Sequence, residues 1–121
     1  MTRFIQVATT TDNKDLAGRI AQALVQQRLA ACVQVSGPIA STYRWQGDVE
    51  TAQEWLCTVK SRRDLFPRIA AAIREVHTYD VPEIIATGLV EGDADYLQWL
   101  DEMLAPEDDA LPPEGDATEN D

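Results

Sequence analysis

The stretch that decides the fold is Ala31-Cys-Val-Gln-Val-Ser-Gly-Pro-Ile-Ala-Ser-Thr-Tyr-Arg-Trp45, a long extended run. A turn, Gln46-Gly47-Asp48, follows it, and the run from Val49 to Lys60 returns as a partner strand. Two runs of this length around a glycine-containing turn predict an antiparallel hairpin. The Gly37-Pro38 pair predicts a bend or a bulge rather than an end of the first strand, because proline is tolerated at bulges and edges.

One strand and one amphipathic helix precede the hairpin. Arg3 to Thr10 is a β-rich run, and apolar residues then recur at helical spacing until about Leu29. We expect Thr11 or Asp12 to cap this first helix, since both side chains can accept a hydrogen bond from a free backbone N–H group.

A second helix and strand follow the hairpin. Ser61 or Asp64 is the expected cap of the helix. Pro67 favours Asp64, because a helix that starts there has the proline in its first turn, where proline is tolerated. The helix is predicted to end at His77, with a fourth strand over residues 84–90 and a short last helix over residues 94–104. The order β-α-β-β-α-β predicts an α+β fold: one antiparallel four-stranded sheet with both long helices on one face.

The chain of 121 residues has a net charge of -11, and the last 17 residues decide how that charge is interpreted. Residues 105–121 hold seven of the 21 acids and no base, which leaves 14 acids against 10 bases and a net charge of -4. We therefore predict one domain over residues 1–104 and a disordered acidic tail over residues 105–121. A body without a basic stripe argues against nucleic acid as a partner. The absence of a signal pattern and of a long apolar run predicts a cytoplasmic protein without a membrane segment.

Polar chemistry concentrates in His77-Thr-Tyr-Asp-Val-Pro-Glu83, between the second helix and the fourth strand. An imidazole, a phenol and a carboxylate within one short connection can bind a cation or a polar ligand. Two structural interpretations stay open. His77 can simply end its helix, where the helix dipole stabilises a cation, and Glu83 can form an ion pair with Lys60 or Arg62.

Taken together, five segments resemble the CutA family of divalent-cation tolerance proteins. The resemblance covers residues 4–104 and implies a ferredoxin-like domain that forms a trimer, related in architecture to the nitrogen-regulatory PII signalling proteins. The segments are Leu29-Ala-Ala-Cys-Val33, Ser41-Thr-Tyr-Arg-Trp-Gln-Gly47, the pair Glu54 and Lys60, His77-Thr-Tyr-Asp-Val-Pro-Glu-Ile84, and Asp95-Tyr-Leu-Gln-Trp99.

The resemblance also suggests where metal would bind. Family members implicated in copper binding carry a cysteine on the first strand and a histidine pair at the end of the second helix. This chain has Ala8 and Val76 at those positions. The remaining candidate ligands for copper or another divalent cation are His77 and Glu83, with Cys32 less favoured, and two ligands rarely make a tight site.

Two classes of function follow from the resemblance. The first is a trimeric metal-tolerance protein that binds divalent ions weakly and directly. The second is a PII-like sensor or scaffold that binds a small polar ligand or a partner protein in clefts between subunits. Lys60, Arg62 and Tyr79 are the residues expected to line such a cleft. No nucleophile motif and no phosphate loop occur, so we expect neither an enzyme nor a required cofactor. Large aromatic side chains predict the trimer interface: Tyr43, Trp45, Trp55 and Trp99.

Overall fold

The computed structural model describes residues 3–107, which form one sheet of four strands and three α-helices. The strands lie in the order β2-β3-β1-β4, and every neighbouring pair is antiparallel. This arrangement confirms the α+β fold. The elements are β1 Phe4–Thr11, α1 Lys14–Gln26, β2 Cys32–Trp45, β3 Asp48–Arg62, a 3-10 turn Arg63–Leu65, α2 Phe66–Val76, β4 Ile85–Gly88 and α3 Ala94–Met103.

One face of the sheet carries the core. The register places Val7 opposite Val59 and Thr9 opposite Cys57, and all four residues are fully buried. The thiol of Cys57 donates a hydrogen bond to the carbonyl oxygen of Ala17 in α1. The buried residues of α1 and α2 belong to the same hydrophobic cluster. Both long helices therefore cover the same face, as the sequence predicts.

Strands β2 and β3 extend beyond the rest of the sheet as a two-stranded arm. They are 14 and 15 residues long, and β1 pairs with β3 only as far as Trp55. The predicted irregularity at Gly37-Pro38 is a bulge, since the register shifts between Ser36 and Ile39. One extra residue on β2 exchanges the two faces of that strand. Beyond the bulge, Tyr43 and Trp45 consequently lie on the face that the helices leave open.

The ends of the helices and of β4 differ from the sequence predictions. Asn13, rather than Thr11 or Asp12, caps α1 by accepting a hydrogen bond from the N–H group of Leu16. The 3-10 turn delays α2 until Phe66, although proline lies in its first turn as expected. Strand β4 is four residues long rather than seven, because only that part pairs with β1. Helix α3 ends one residue before the predicted boundary.

The described chain stays in contact with the domain for a few residues beyond the predicted boundary at residue 104. Ala105 is buried, and its N–H group donates to the carbonyl oxygen of Arg28. The carboxylate of Glu107 lies 2.9 Å from the guanidinium of Arg3. The remainder of the predicted disordered tail, residues 108–121, lies outside the described residues. Within residues 3–107, no helix combines the length and the apolar character that crossing a bilayer requires.

Candidate functional site

The predicted polar cluster lies where the loop after α2 passes the end of β1. We call this place the root of the arm, because β2 and β3 extend beyond the sheet from here. His77 is the C-cap of α2 and is half-buried. Its Nε2 atom lies 2.8 Å from the carbonyl oxygen of Thr10 in β1, and its Nδ1 atom accepts a hydrogen bond from the N–H group of Tyr79 at 3.1 Å. The imidazole thus joins three segments of the chain.

These two hydrogen bonds fix the tautomer of His77. A backbone N–H group can only donate, so Nδ1 carries the lone pair and Nε2 carries the proton that is donated to Thr10. A metal ion binds a nitrogen lone pair, and here the one available lone pair already accepts from Tyr79. The imidazole is therefore a structural tie in this geometry and offers no free ligand atom.

The other two predicted metal ligands do not form a three-residue metal site with His77. Glu83 is exposed and has no hydrogen bond or ion pair from its side chain to any described residue. Cys32 lies opposite Lys60, which in turn lies opposite Gln6, four residues along β1 from Thr10. At about 3.3 Å per residue, that separation is roughly 13 Å. Across residues 3–107, no three His, Cys, Asp or Glu side chains form a group that could hold a metal ion.

We expect His77→Ala to leave the affinity for Cu(II) unchanged within about twofold, because neither ring nitrogen has a free lone pair. Calorimetric titration of a chain that ends at Glu107 checks this, since the acids beyond that residue would otherwise collect copper themselves. Glu83→Gln is the parallel variant, and we expect the same result. A clear loss of copper affinity in either variant would show that the loop rearranges to bind the metal.

Tyr79 forms the strongest polar contact at the root of the arm. Its hydroxyl donates to the Oε2 atom of Glu54 at 2.6 Å, and Glu54 on β3 is only 8% exposed. The rings of Tyr79 and His77 also lie in contact, with centroids 4.7 Å apart. Burial, followed by the hydrogen bond and the negative charge of Glu54, raises the pKa of Tyr79 well above its usual value. The phenol is thus held neutral, as a donor to a buried carboxylate.

Removing this hydroxyl should destabilise the protein. We expect Tyr79→Phe to lower the unfolding free energy at pH 8 by about 1 to 2 kcal/mol, because the buried Glu54 carboxylate loses its partner. A folded-state pKa above the unfolded value of about 10 means that the stabilisation is complete below pH 10 and is lost at higher pH. The difference between wild type and variant should therefore shrink above pH 10 in urea unfolding series.

Tyr96→Phe is the matched control for that experiment, because Tyr96 lies on α3, is 41% exposed and keeps its ring contact with Trp99 when the hydroxyl is removed. It should leave the stability almost unchanged. If Tyr79→Phe were equally neutral at pH 8, the contact with Glu54 would have no energetic role. A difference that stayed constant through pH 11 would show that the hydroxyl does not titrate as proposed.

The predicted cleft residues are separated within one chain. Lys60 lies on the part of β3 that pairs with Gln6, and its amine donates to the side chain of Gln34 at 2.9 Å. Tyr79 lies elsewhere, at the root of the arm. Arg62 is only 2% exposed and bonds Asp64 and Asp101. The predicted ion pair of Glu83 with Lys60 or Arg62 does not form, and Arg62 has no exposed donor for a ligand.

The predicted interface residues fall into two groups. Tyr43, Trp45 and Trp99 are exposed, at 43%, 56% and 41%. Trp55 is half-buried and packs against the core cluster of its own chain. Tyr43, Trp45 and Trp99 thus each keep more than 40% of their surface exposed, and a partner could cover that surface.

Glu54 is the residue of the site that reasoning from local sequence patterns did not identify, although the family resemblance includes it. The available signal is its position: an acid directly before the run Trp55-Leu-Cys57 on a strand that enters the core. A carboxylate there requires a donor, since a buried charge without one is costly. That donor, Tyr79, is 25 residues away in the sequence.

Known proteins share this architecture and much of this sequence. Residues 5–103 match the family described as CutA1 divalent ion tolerance protein. The divalent-cation tolerance protein CutA of Thermus thermophilus is 44% identical over 96 residues, which cover 79% of this chain and 93% of that protein. A crystal structure of CutA1 from the psychrotrophic bacterium Shewanella sp. SIB1 matches with a TM-score of 0.84 at 34% identity, over 87% of this chain and 98% of that chain.

The similarity extends to a longer relative. Protein CutA of Homo sapiens is 37% identical over 102 residues, or 84% of this chain. The match spans 57% of the human protein, so the shared part is the domain described above.

Proposed function

The chain belongs to the CutA1 family of divalent ion tolerance proteins, and we propose that it acts as a homotrimer in which the arms join the copies. The arm is the observation that supports this proposal. Two antiparallel strands alone are marginally stable in water, and need a third strand or another packing partner. Beyond Trp55, no further strand of the described chain pairs with this arm. A second copy can provide that cover.

The two edges of the sheet suggest how copies meet. β2 and β4 are the outer strands, so their outward backbone groups have no strand partner within residues 3–107. Beside β4 lies a cavity of about 640 Å³ lined by apolar side chains, among them Phe66, Ile84 and Ile85. Pairing of β2 from one copy with β4 of the next uses two different surfaces, and such contacts close into a ring when the rotation between copies is a whole fraction of a turn. The number of three copies comes from the family resemblance.

Trp45→Ser should shift the assembly toward single chains, because the largest exposed ring of the arm is removed from the proposed contact. Light scattering at micromolar concentration should return a trimer mass for the wild type and a smaller mass for the variant. Val90→Ser is the matched control, since Val90 is 86% exposed outside the helices and strands. A monomeric wild type, or an unchanged mass for Trp45→Ser, contradicts the proposal.

We propose further that the role of this protein in divalent-ion tolerance does not require a metal site formed within one chain. Three observations support this: both ring nitrogens of His77 are hydrogen-bonded, Cys32 lies far from them along the sheet, and no three His, Cys, Asp or Glu side chains of residues 3–107 form a metal site. Copper or another divalent cation would bind weakly, or at ligands supplied by several copies, and no resident cofactor or catalytic step is required.

The sensor or scaffold function is the second candidate, and the neutral Tyr79 beside the Glu54 carboxylate favours it. In a trimer, this pair and Lys60 from different copies could line a cleft for a small polar ligand, as in PII-like proteins. Separate calorimetric titrations of the assembled protein with Cu(II) and with nucleotides discriminate between the two functions. Saturable nucleotide binding supports the sensor, and saturable copper binding alone supports direct metal binding. The cytoplasmic location stays a prediction.

A further inference from the structure

The last segment that the structure describes, residues 93–107, packs on the rest of the domain through few side chains; we call it the C-terminal lid. Its buried residues are Leu100, Leu104 and Ala105. The flank of α3 beside Leu100 is exposed, with Tyr96, Trp99 and Met103 each 41% accessible. The lid contributes no strand to the sheet. Its helix α3 buries only Leu100, whereas α1 buries four residues and α2 buries three, so α3 has the weakest apolar attachment of the three helices.

Arginine side chains from the body supply most of the polar attachment of the lid. Arg28 donates from Nε to the carbonyl oxygen of Met103 at 3.1 Å and from Nη2 to that of Glu102 at 2.8 Å. These two carbonyl groups lie at the C-terminal end of α3, where helix carbonyls lack partners within the helix. Arg62 donates to Asp101 at 3.0 Å and to the carbonyl oxygen of Ala105 at 2.6 Å.

Backbone hydrogen bonds and exposed ion pairs add little to the attachment of the lid. The N–H group of Ala105 donates to the carbonyl oxygen of Arg28, the backbone bond by which the described lid joins the body. Arg3 pairs with Asp101 and Glu107, but the three side chains are 48%, 37% and 51% exposed. Ion pairs at such exposure contribute little to stability, because water screens the charges. The anchors that matter are thus Arg28, Arg62 and the three buried apolar residues.

We propose that the lid opens as a unit while the sheet, α1 and α2 stay folded. Segments with few buried apolar contacts open locally at lower free energy than the core. Opening removes Asp101 and the Ala105 carbonyl group from Arg62, which keeps Asp64 as its partner. Guanidinium donors then face solvent beside the surface vacated by Leu100 and Leu104. The lid thus controls access to an arginine that is covered in the closed protein.

Native-state hydrogen exchange of the assembled protein tests this, with Arg28→Asn as the variant. Arg28 has a positive φ of 60°, which asparagine tolerates better than most residues, so the substitution removes two hydrogen bonds without adding backbone strain. Gln46→Asn is the matched control, because Gln46 has a φ of 49° in the turn of the arm. We expect the amides of residues 97–105 to exchange about tenfold faster in Arg28→Asn.

The amides of β1 and β3 should keep their exchange rates in both variants, and Gln46→Asn should leave the lid unchanged. Faster exchange of lid and sheet together would mean that the lid opens only by global unfolding, which overturns the proposal. Unchanged exchange of the lid overturns it as well. If Arg28→Asn fails to fold, Asp101→Asn tests the same attachment through Arg62. Light scattering of each variant shows whether assembly has changed, which separates this result from failure of the proposed trimer.

Discussion

Replacing Arg62 with methionine is expected to lower the free energy of unfolding by about 2 to 3 kcal/mol, near the lower limit for breaking a buried ion pair. Its guanidinium is 2% exposed and donates to Asp64, Asp101 and the carbonyl oxygen of Ala105. Burial by itself lowers the pKa of Arg62, but hydrogen bonds and charge from both aspartates raise it above its usual value. Removing the cation leaves both carboxylates without their main partner.

The loss of stability should be near this lower limit because Asp64 and Asp101 are 20% and 37% exposed, and water can partly replace the arginine as their partner. Arg63→Met is the matched control, since the next residue is exposed. Urea unfolding at pH 7 measures both variants, and Arg63→Met should stay within about 0.5 kcal/mol of the wild type. Equal stability of the two variants would show that the buried network contributes nothing net.

Gly37→Ala is expected to lower the free energy of unfolding by about 2 to 4 kcal/mol through overpacking and backbone strain. Gly37 lies in the bulge with a φ of 154°, a conformation that favours glycine. A Cβ atom there would lie 2.5 Å from the Cδ1 atom of Trp55 and 3.0 Å from the carbonyl oxygen of Glu54. The indole packs against the core, so it cannot move away freely.

Gly18→Ala is the matched control for this glycine, and its effect should have the opposite sign. Gly18 lies inside α1, and a Cβ atom there would meet nothing within 4 Å. Alanine in a helix interior should stabilise the protein by about 0.5 to 1 kcal/mol. Thermal unfolding of both variants at one pH gives the comparison. A neutral Gly37→Ala would mean that the bulge repacks, and the arm would then be less rigid than its contacts indicate.

The order of elements was predictable because hydrophobic periodicity and turn chemistry agree along the chain. The hairpin, the bulge and the β-α-β-β-α-β order are all confirmed by the structure. The exact ends were not predictable. Thr11, Asp12 and Asn13 can all cap a helix, and the choice of Asn13 depends on how far β1 stays paired with β3. The anchoring of Ala105 likewise depends on Arg28 and Arg62, which are distant in sequence.

The candidate site was less predictable than the fold. The short segment from His77 to Glu83 brings suitable ligand types together in sequence, but closeness in sequence does not set the direction of a side chain. Both ring nitrogens of His77 form hydrogen bonds. One bonds the carbonyl oxygen of Thr10, 67 residues away, and the other accepts from the backbone N–H group of Tyr79. Glu83 faces solvent instead. Hydrogen bonds of this kind depend on tertiary packing, which local sequence patterns do not encode.

The bulge in β2 restricts how the arm can change in length as sequences diverge. Loss of one residue between Ser36 and Ile39 would return Tyr43 and Trp45 to the face on the helix side. Gain or loss of two residues on β2, matched by two on β3, would keep every outer side chain on its present face. Descendants of this sequence should therefore tolerate arms that are longer or shorter by whole cross-strand repeats, whereas single-residue insertions should be selected against.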